Sequence, residues 1–165
     1  MTSRGAYPTF KYVQVNARFA GIDFSSGLQV SNRLQLLGKY STVRAYDRNI
    51  NSHLEFIPAD KFGLDAVFNF ESIGKFKKST LDFGASHTTR QDRILQTQDY
   101  AATPAAYTLF SMDLSANVNL FKKSVGFSLT VQNLTNEVYR DYLNRFRYFA
   151  DEQGRNFILR TRIPI

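Results

Sequence analysis

Apolar and polar residues alternate with a period of two along most of this 165-residue chain. Successive side chains of a β-strand point to opposite faces, so the alternation predicts strands with one apolar and one polar face. No stretch shows the periodicity of an amphipathic helix, and the predicted fold class is therefore all-β. The seven predicted strands cover residues 20–30, 33–39, 64–71, 80–86, 110–120, 124–132 and 155–165.

The lengths of the connections are sorted by position. Those after the first, third and fifth strands are short, at 31–32, 72–78 and 121–123. Those after the second, fourth and sixth are long, at about 47–62, 89–106 and 137–154. Tight periplasmic turns and large extracellular loops alternate in this way in up-and-down barrels of outer membranes, whereas a soluble sandwich has no reason to sort its loops by end. The pattern predicts an antiparallel up-and-down transmembrane β-barrel segment of about seven strands.

The charges on the polar faces indicate which face meets lipid. An Arg or Lys facing hydrocarbon at the middle of a bilayer costs about 2–4 kcal/mol, and Asp or Glu costs somewhat less. The polar faces are therefore expected to line a wet lumen. The predicted lumen-facing residues are Asp23, Asp65, Asp113, Arg160 and Arg162.

Composition excludes several other classes of protein. The chain has no cysteine, which excludes disulfides and thiolate chemistry. The net charge of +7 would suit a polyanion, but the basic residues are spread along the chain, so nucleic acid is not an expected partner. No apolar run reaches about 18 residues, which excludes a membrane-spanning helix. The first residues have no apolar core of the signal-peptide type, so we expect a chain that is cytosolic, already processed or cut from a longer protein.

Catalytic and metal-binding chemistry is not predicted. His53 and His87 are the only histidines, and neither has a second ligand at metal-binding spacing. Ser86 precedes His87, but neighbouring residues of a strand point to opposite faces, so the two cannot act together as nucleophile and base. We therefore predict no enzyme activity, no catalytic residue, no metal site and no cofactor.

The last long connection contains "YRDYLNRFRYF", in which arginines alternate with aromatic residues. In a barrel this segment would form an extracellular loop and its rim, with arginines facing lipopolysaccharide phosphate or an anionic ligand. A purely structural role of these residues in the loop and rim is favoured over contact with a ligand. Stacking on single-stranded nucleic acid would also use such residues, but no RNA-binding consensus accompanies them. The candidate ligand contacts are Arg140, Tyr142, Arg145, Arg147 and Tyr148.

Three segments, in the same order as in the family, resemble TonB-dependent outer-membrane receptors. The most specific is "VQNLTNEVYRDYLNRFRYFADEQGRNFILRTRIPI" (131–165), which is similar to the last two strands of these receptors and the loop between them. The matching residues there are Asn133, Leu134, Asn136 and Tyr139, followed by Gly154, Arg155 and Asn156. "YVQVNARFAGIDFS" (12–25), with Tyr12, Ala17, Arg18, Gly21 and Asp23, and "AYTLFSMDLS" (106–115) resemble the openings of two earlier strands.

The resemblance implies a fold, a location and partners. These receptors are barrels of about 22 strands with a plug inside, and they use TonB to import scarce nutrients such as siderophores, haem, cobalamin, metal ions or glycans. Residues 1–165 would be the C-terminal part of such a barrel, without the plug and the earlier strands. The implied location is the outer membrane of a Gram-negative cell. The implied partners are outer-membrane lipid and lipopolysaccharide, the remainder of the receptor, TonB through the missing plug, and a small ligand that the sequence does not identify.

Two other barrels remain open from the sequence. A small standalone outer-membrane barrel with a structural or adhesion role would need eight strands and a closed ladder, because the first and seventh strands run in the same direction. A soluble lipid-binding barrel would need Phe24, Phe68, Met112 and Phe127 to point inward. Two further details depart from a regular pattern: a shift in apolar parity between Val15 and Ala20 suggests a bulge, and the chain ends on Pro164 and Ile165 where the family usually ends on an aromatic residue.

Overall fold

The computed structural model describes residues 14–94, 99, 101–120 and 123–163, and its strands form one antiparallel sheet. The strands are β1 (Ala17–Gln29), β2 (Leu34–Asp47), β3 (Ser52–His53), β4 (Lys61–Ile73), β5 (Phe76–Thr88), β6 (Tyr107–Leu120), β7 (Lys123–Gln132) and β8 (Asn156–Arg162). The order across the sheet is β1-β2-β4-β5-β6-β7-β8, and β3 pairs only with β2. Each long strand thus lies beside its neighbour in sequence, which confirms the all-β, up-and-down fold class.

Short turns join the strands at one end of the sheet and long connections join them at the other. We call the long connections loop A (48–60), loop B (89–106) and loop C (133–155). The turn in the β4–β5 hairpin is tighter than the predicted 72–78, because both strands extend into it and Gly74 adopts a φ of +61°. Glycine takes this left-handed conformation without the steric cost of a side chain. The turns at 31–32 and the loops at the opposite end agree with the predicted arrangement.

Five strands, β1, β2, β4, β5 and β6, are longer at the loop end than the alternation predicted, whereas β7 and β8 begin or end there within one residue of the prediction. β2 was expected to end at residue 39 but pairs with β1 as far as Asp47. Beyond Tyr40 the face that was apolar carries Thr42 and Arg44 instead. The hydrogen-bonded ladder continues although the side chains on that face change from apolar to polar, so hydrophobic alternation alone ends the strand too early.

The one bulge in the described sheet lies elsewhere than predicted. The β1–β2 register is continuous from Ala17, and the Arg48 N–H donates to the Asn16 carbonyl at 2.9 Å, so no bulge interrupts β1 after Asn16. The register instead shifts on β5 between Lys77 and Thr80, where Lys78 has a φ of +47°. An extra residue on one strand bends it and increases its twist.

Strands β1 and β8 are the two edges of the sheet, and they run in the same direction. Within the described residues the ladder does not close. The one helical segment described is a single 3-10 turn, Arg145–Tyr148, within loop C. None of the described residues belongs to a helix with the length and hydropathy that a membrane span requires.

Buried side chains are concentrated at the loop end. The buried hydrophobic residues are Ala45, Ala59, Tyr107, Val131 and Tyr142, with Val125 near the turns as the exception. All but Val125 lie at the loop ends of strands or in the loops themselves. The packed part of the molecule is therefore the region where the three loops meet the sheet.

Candidate functional site at the loop end of the sheet

Loop C begins with two asparagines in the left-handed backbone region. Asn133 has a φ of 50° and Asn136 a φ of 55°. Asparagine adopts this conformation more readily than other residues with a side chain, because its short amide can bond locally. The Asn133 amide accepts from the Glu137 N–H and donates to the Glu137 carbonyl, both at 2.8 Å. The side chain thus closes the turn through which the chain leaves β7.

Asn136 joins the two ends of loop C. Its Oδ1 accepts from the Arg155 N–H at 2.9 Å, immediately before β8 begins. A Cβ on Gly154 would lie 2.8 Å from the same oxygen, so a side chain there would displace the amide. The asparagines and glycine that carry the family resemblance are therefore structural: they hold the start of loop C against its end.

Loop C also occupies the place of a strand beside the end of β6. Pairing of β6 with β7 begins only at Met112, so residues 107–111 have β5 as their single strand neighbour. The Leu134 N–H donates to the Phe110 carbonyl at 2.8 Å. The Tyr107 hydroxyl donates to Asp141 at 2.7 Å, and its ring lies 4.4 Å from that of Tyr139. Loop C is thus bonded to the sheet along its first ten residues.

The 3-10 turn is held by Asn144. Its side-chain oxygen accepts from the Phe146 N–H at 2.9 Å, and its amide nitrogen donates to Glu152 at 2.5 Å. The turn directs Arg147 into the loop cluster and leaves Arg145 and Phe146 exposed. Neighbouring residues of the "NRFRY" segment therefore have opposite surroundings.

Arg147 and Asp99 form a buried ion pair between loops C and B. Their atoms approach to 2.5 Å, and the two side chains are only 2% and 8% exposed. Tyr148 donates from its hydroxyl to the other Asp99 oxygen at 2.8 Å. Burial alone would raise the pKa of Asp99, but the bonds from Tyr148 and Arg147 hold it below its ordinary value. Burial, together with the bond to Asp99, raises the pKa of Tyr148 to about 12.

Tyr142 connects this pair to loop A. Its ring lies under the Arg147 guanidinium, 4.8 Å from centroid to carbon, and stacks on Phe56 at 6.1 Å. The Arg145 guanidinium lies 5.7 Å from the Phe56 ring on the outer side. Burial raises the pKa of Tyr142 and also that of the nearby Glu55. Three loops distant in sequence thus share one aromatic and charged cluster.

The predicted ligand contacts therefore fall into two groups. Arg147 and Tyr142 are buried between loops, with Tyr148 half-buried beside them. Arg140 and Arg145 are exposed, and Arg140 pairs with Asp151 at 2.5 Å. In this conformation, the contacts of Arg147, Tyr142 and Tyr148 fit a purely structural role. Ligand contact by the five residues remains a prediction.

The five predicted lumen residues lie on one face of the sheet. Register places Asp23 opposite Ser41, Asp65 between Leu37 and Gly84, and Asp113 between Asp82 and Thr130. Arg160 and Arg162 continue that face on β8. Asp65 pairs with Lys39 at 2.9 Å, a partner that the sequence did not indicate. Asp113 accepts from Thr130. That this face borders a lumen remains a prediction.

A second charged cluster, which the alternation pattern did not indicate, joins β2 to loops A and B. The Asp60 carboxylate accepts from Arg44 at 2.6 and 2.8 Å, and from Arg93 at 3.0 Å. The Thr42 hydroxyl donates to the same carboxylate at 2.6 Å. The bonds from Arg44 lower the pKa of Asp60 to about 2, although its partial burial acts in the opposite direction. Asp60 precedes a strand and Arg93 follows another, so no short sequence motif connects them.

Among the described residues, neither histidine has metal-binding side chains beside it. His53 packs edge-on against Tyr46, and His87 Nδ1 lies 2.8 Å from the Thr108 hydroxyl. Both are on the apolar face, and Ser86 lies on the opposite one. Over the part of the chain that the structure describes, no group of three or more acidic or histidine side chains is arranged to hold a metal ion.

Comparison with known proteins identifies a likeness in fold to a solved structure. No protein-family model matches this chain, and no curated sequence matches it significantly. The chain resembles a solved structure of the copper transporter OprC. The TM-score is 0.75 at 17% identity, and the match covers 89% of this chain. It covers 23% of OprC, so the chain spans about a quarter of the length of OprC, and at this identity the likeness to OprC shows the fold alone.

Proposed function

We propose that this chain is the C-terminal part of the β-barrel of a TonB-dependent receptor in a Gram-negative outer membrane. In this proposal the whole receptor imports a scarce nutrient such as a siderophore or a metal complex. The chain supplies part of the barrel wall and three extracellular loops. The proposal depends mainly on the exposed apolar face of the sheet.

That apolar face continues across the sheet. Ile22 on β1 is 62% exposed and Leu159 on β8 is 73% exposed, and Leu64, Phe83 and Phe110 are exposed between them. A soluble protein rarely exposes a contiguous apolar patch of this extent, because its contact with water is unfavourable. Lipid acyl chains would cover the patch at no such cost. This observation supports a lipid-facing wall, and it opposes a soluble barrel with Phe24 shielded inside.

The opposite face supports the same orientation. Asp23, Asp65, Asp82 and Asp113 lie there together with Lys39 and two arginines of β8. Facing lipid, the basic residues alone would each cost about 2–4 kcal/mol at the middle of the bilayer. A water-filled lumen, or a plug with complementary charges, satisfies them.

Two further observations support a large receptor over a small standalone barrel. The asparagines and glycine of loop C give the family resemblance a structural basis, since they fix how β7 leads into β8. The likeness to OprC covers only a quarter of that transporter, and the edges β1 and β8 are unpaired among the described residues. Both edges would expose backbone groups to lipid at several kcal/mol each unless further strands pair with them.

The cargo is not inferred from OprC. Copper favours sulfur and imidazole ligands, and in this chain Met112, His53 and His87 all lie on the apolar face. The proposed ligand contacts remain the loop residues around Arg140 and Arg145, which favour an anionic ligand. TonB itself would act through the plug.

The chain has no cysteine, so single cysteines can be placed in it to test the topology, with labelling of the unsubstituted receptor subtracted as the background. Single cysteines replace Phe146 in loop C, Gly74 in a turn, and Leu64 on the apolar face. In intact cells a membrane-impermeant maleimide should label position 146 only. Position 74 should react after the outer membrane is permeabilised, and position 64 in neither case. Equal labelling of all three in a soluble fraction would refute the membrane wall.

Two measurements then distinguish a large receptor from a small standalone barrel. An antibody against loop C should detect a native protein several times larger than 18.9 kDa. Deletion of its gene should abolish energy-dependent uptake of one labelled siderophore or metal complex in a panel. A native protein of about the mass of this chain, with uptake unchanged, would instead support the structural or adhesion role.

A further inference from the structure

A group of arginines lies on the apolar face of the sheet at its loop end. Arg18 and Arg44 are on that face, because Arg44 is opposite Ala20 and Arg18 is opposite Tyr46. Arg48 continues the same alternation through its backbone bond to Asn16. Arg93 reaches the group from loop B, where it bonds to Asp60 together with Arg44. We call these four residues the rim arginines.

The rim arginines carry an excess of positive charge. Asp60 is the carboxylate that contacts the group, and it leaves a net charge of about +3. The nearby Arg90 and Asp92 pair with each other at 3.1 Å and add none. Among the described residues, Arg18 and Arg48 have no side-chain partner and are exposed. Arg44 is held by Asp60 yet remains 41% exposed. Two guanidinium groups are thus fixed in place and two are available.

The position of these arginines relative to the apolar face indicates what they bind. Below Arg44 on β2 lies Tyr40, whose ring is 4.8 Å from Phe62, and next to Tyr40 is Phe24, paired with it across β1. Arg44 is four residue steps along the strand from Tyr40, or roughly 13 Å. The face therefore changes over this distance from apolar, through aromatic, to basic. An amphiphile with acyl chains and an anionic headgroup has the complementary order.

We propose that the rim arginines bind the phosphate of a phosphorylated, multiply acylated lipid of the surrounding outer leaflet, whose acyl chains lie along Phe24 and Ile22. Guanidinium groups bind phosphate with paired, charge-assisted hydrogen bonds, for which arginine is better suited than lysine. This inference rests on the proposed function, since it requires the apolar face to meet lipid. It assigns the lipid contact to β1, β2 and loop B, away from the arginines of loop C.

Lipid binding to the purified protein in nonionic detergent tests the assignment. The probe is bisphosphorylated lipid A, and its binding is counted by native mass spectrometry over a concentration series. The test variant is Arg18→Gln with Arg48→Gln, because neither side chain supports the fold. The matched control is Lys75→Gln with Lys77→Gln, which removes the same charge at the turn end. Resistance to unfolding, measured by heat-dependent gel mobility, checks that both variants fold.

We expect the test variant to bind the probe about tenfold to a hundredfold more weakly, and the control to bind it like the parent. The double variant Arg18→Lys with Arg48→Lys should recover only part of the lost binding. Lipid A without phosphate should bind to the parent and to every variant as weakly as the probe binds to the test variant. Equal binding by parent and test variant, or equal losses in both variants, would overturn the assignment. If millimolar inorganic phosphate displaced the probe completely, the site would be a simple anion site, and the assignment to a lipid would be wrong. A protein that takes up no detergent would refute the proposed function instead.

Discussion

Replacement of Arg147 by methionine should loosen the loop cluster. The change keeps most of the side-chain volume but leaves Asp99 without its cation in surroundings where it is only 8% exposed. Removal of one partner from a buried ion pair costs about 3–5 kcal/mol, because the remaining charge has lost both its partner and its water. The guanidinium contacts with Tyr142 and Tyr148 are lost as well. We expect the loss to appear as local opening of the loops, since the pair lies outside the strand ladder.

Hydrogen exchange of loop C amides measures this opening. The Phe149 and Ala150 N–H groups both donate to the Phe146 carbonyl, at 2.8 and 3.0 Å, and are protected only while the 3-10 turn persists. A cost of 3–5 kcal/mol corresponds to exchange that is about 10²–10⁴ times faster when exchange follows the opening equilibrium. Amides in the middle of β6 should keep their rates.

The control for this experiment is Asp151→Asn in the same loop. It removes an ion pair with Arg140 in which both side chains are more than 40% exposed. Such surface pairs contribute about 0–1 kcal/mol, so exchange should increase by less than tenfold. The reasoning would be refuted if Arg147→Met and Asp151→Asn had the same small effect. It would also be refuted if replacing Arg147 and Asp99 together by apolar residues restored none of the protection.

Three other predictions follow from single contacts. Gly154→Ala should lower the stability by about 1–2 kcal/mol by displacing the Asn136 amide. In urea unfolding, the double variant with Asn136→Ala should lose less stability than the sum of the two single variants. Fully additive losses would contradict the shared contact. Gly84→Ala should lower the stability by about 1–3 kcal/mol, because its Cβ would lie 2.6 Å from a serine hydroxyl. At Gly38 an added Cβ would meet nothing within 4 Å, so Gly38→Ala should leave the stability unchanged or raise it in the same assay. The opposite order of stabilities would be inconsistent with the register. Because the pKa of Asp60 is lowered to about 2, its stabilisation of about 1–2 kcal/mol is present above pH 4 and is lost as the pH falls through 2. Asp60→Asn should remove this dependence from loop exchange rates, and an unchanged pH profile would contradict the assignment.

The sequence predicts the middle of each strand well, but it ends β1, β2, β4, β5 and β6 too early at the loop end. Residues 110–120 alternate strictly because one face needs apolar contact and the other does not, and β6 covers them. In β2 the ladder continues to Asp47, while the side chains change at Thr42 because the surroundings of that face change. Backbone pairing and side-chain polarity are separate properties there. The pattern of polar and apolar residues therefore cannot show that backbone pairing continues where the side-chain polarity changes.

The loop contacts were beyond prediction for a different reason. Arg147 was predicted as a ligand contact because aromatic residues flank it in the sequence, yet its partner Asp99 is 48 residues away in a segment without periodicity. Asp60 likewise joins Arg44 and Arg93 across three separate elements. Long-range ion pairs depend on where folding brings chain segments together. The two asparagines of loop C were identified through the family pattern, because their bonds are local or join the ends of one loop.

Loop C also determines where the chain tolerates added residues. Since it lies beside the loop end of β6 as a strand would, residues inserted between Tyr139 and Arg147 would displace chain that is bonded to the sheet. At the tip of loop A, Ile50 is exposed, and the nearest bonds lie on either side of it, from the Asn49 N–H to Asp47 and from the Tyr46 hydroxyl to the Asn51 carbonyl. An epitope or label placed there would extend from the surface and leave the sheet intact. Loop C, although the longest connection, is thus the least suitable one for modification, and the shorter loop A is the better site.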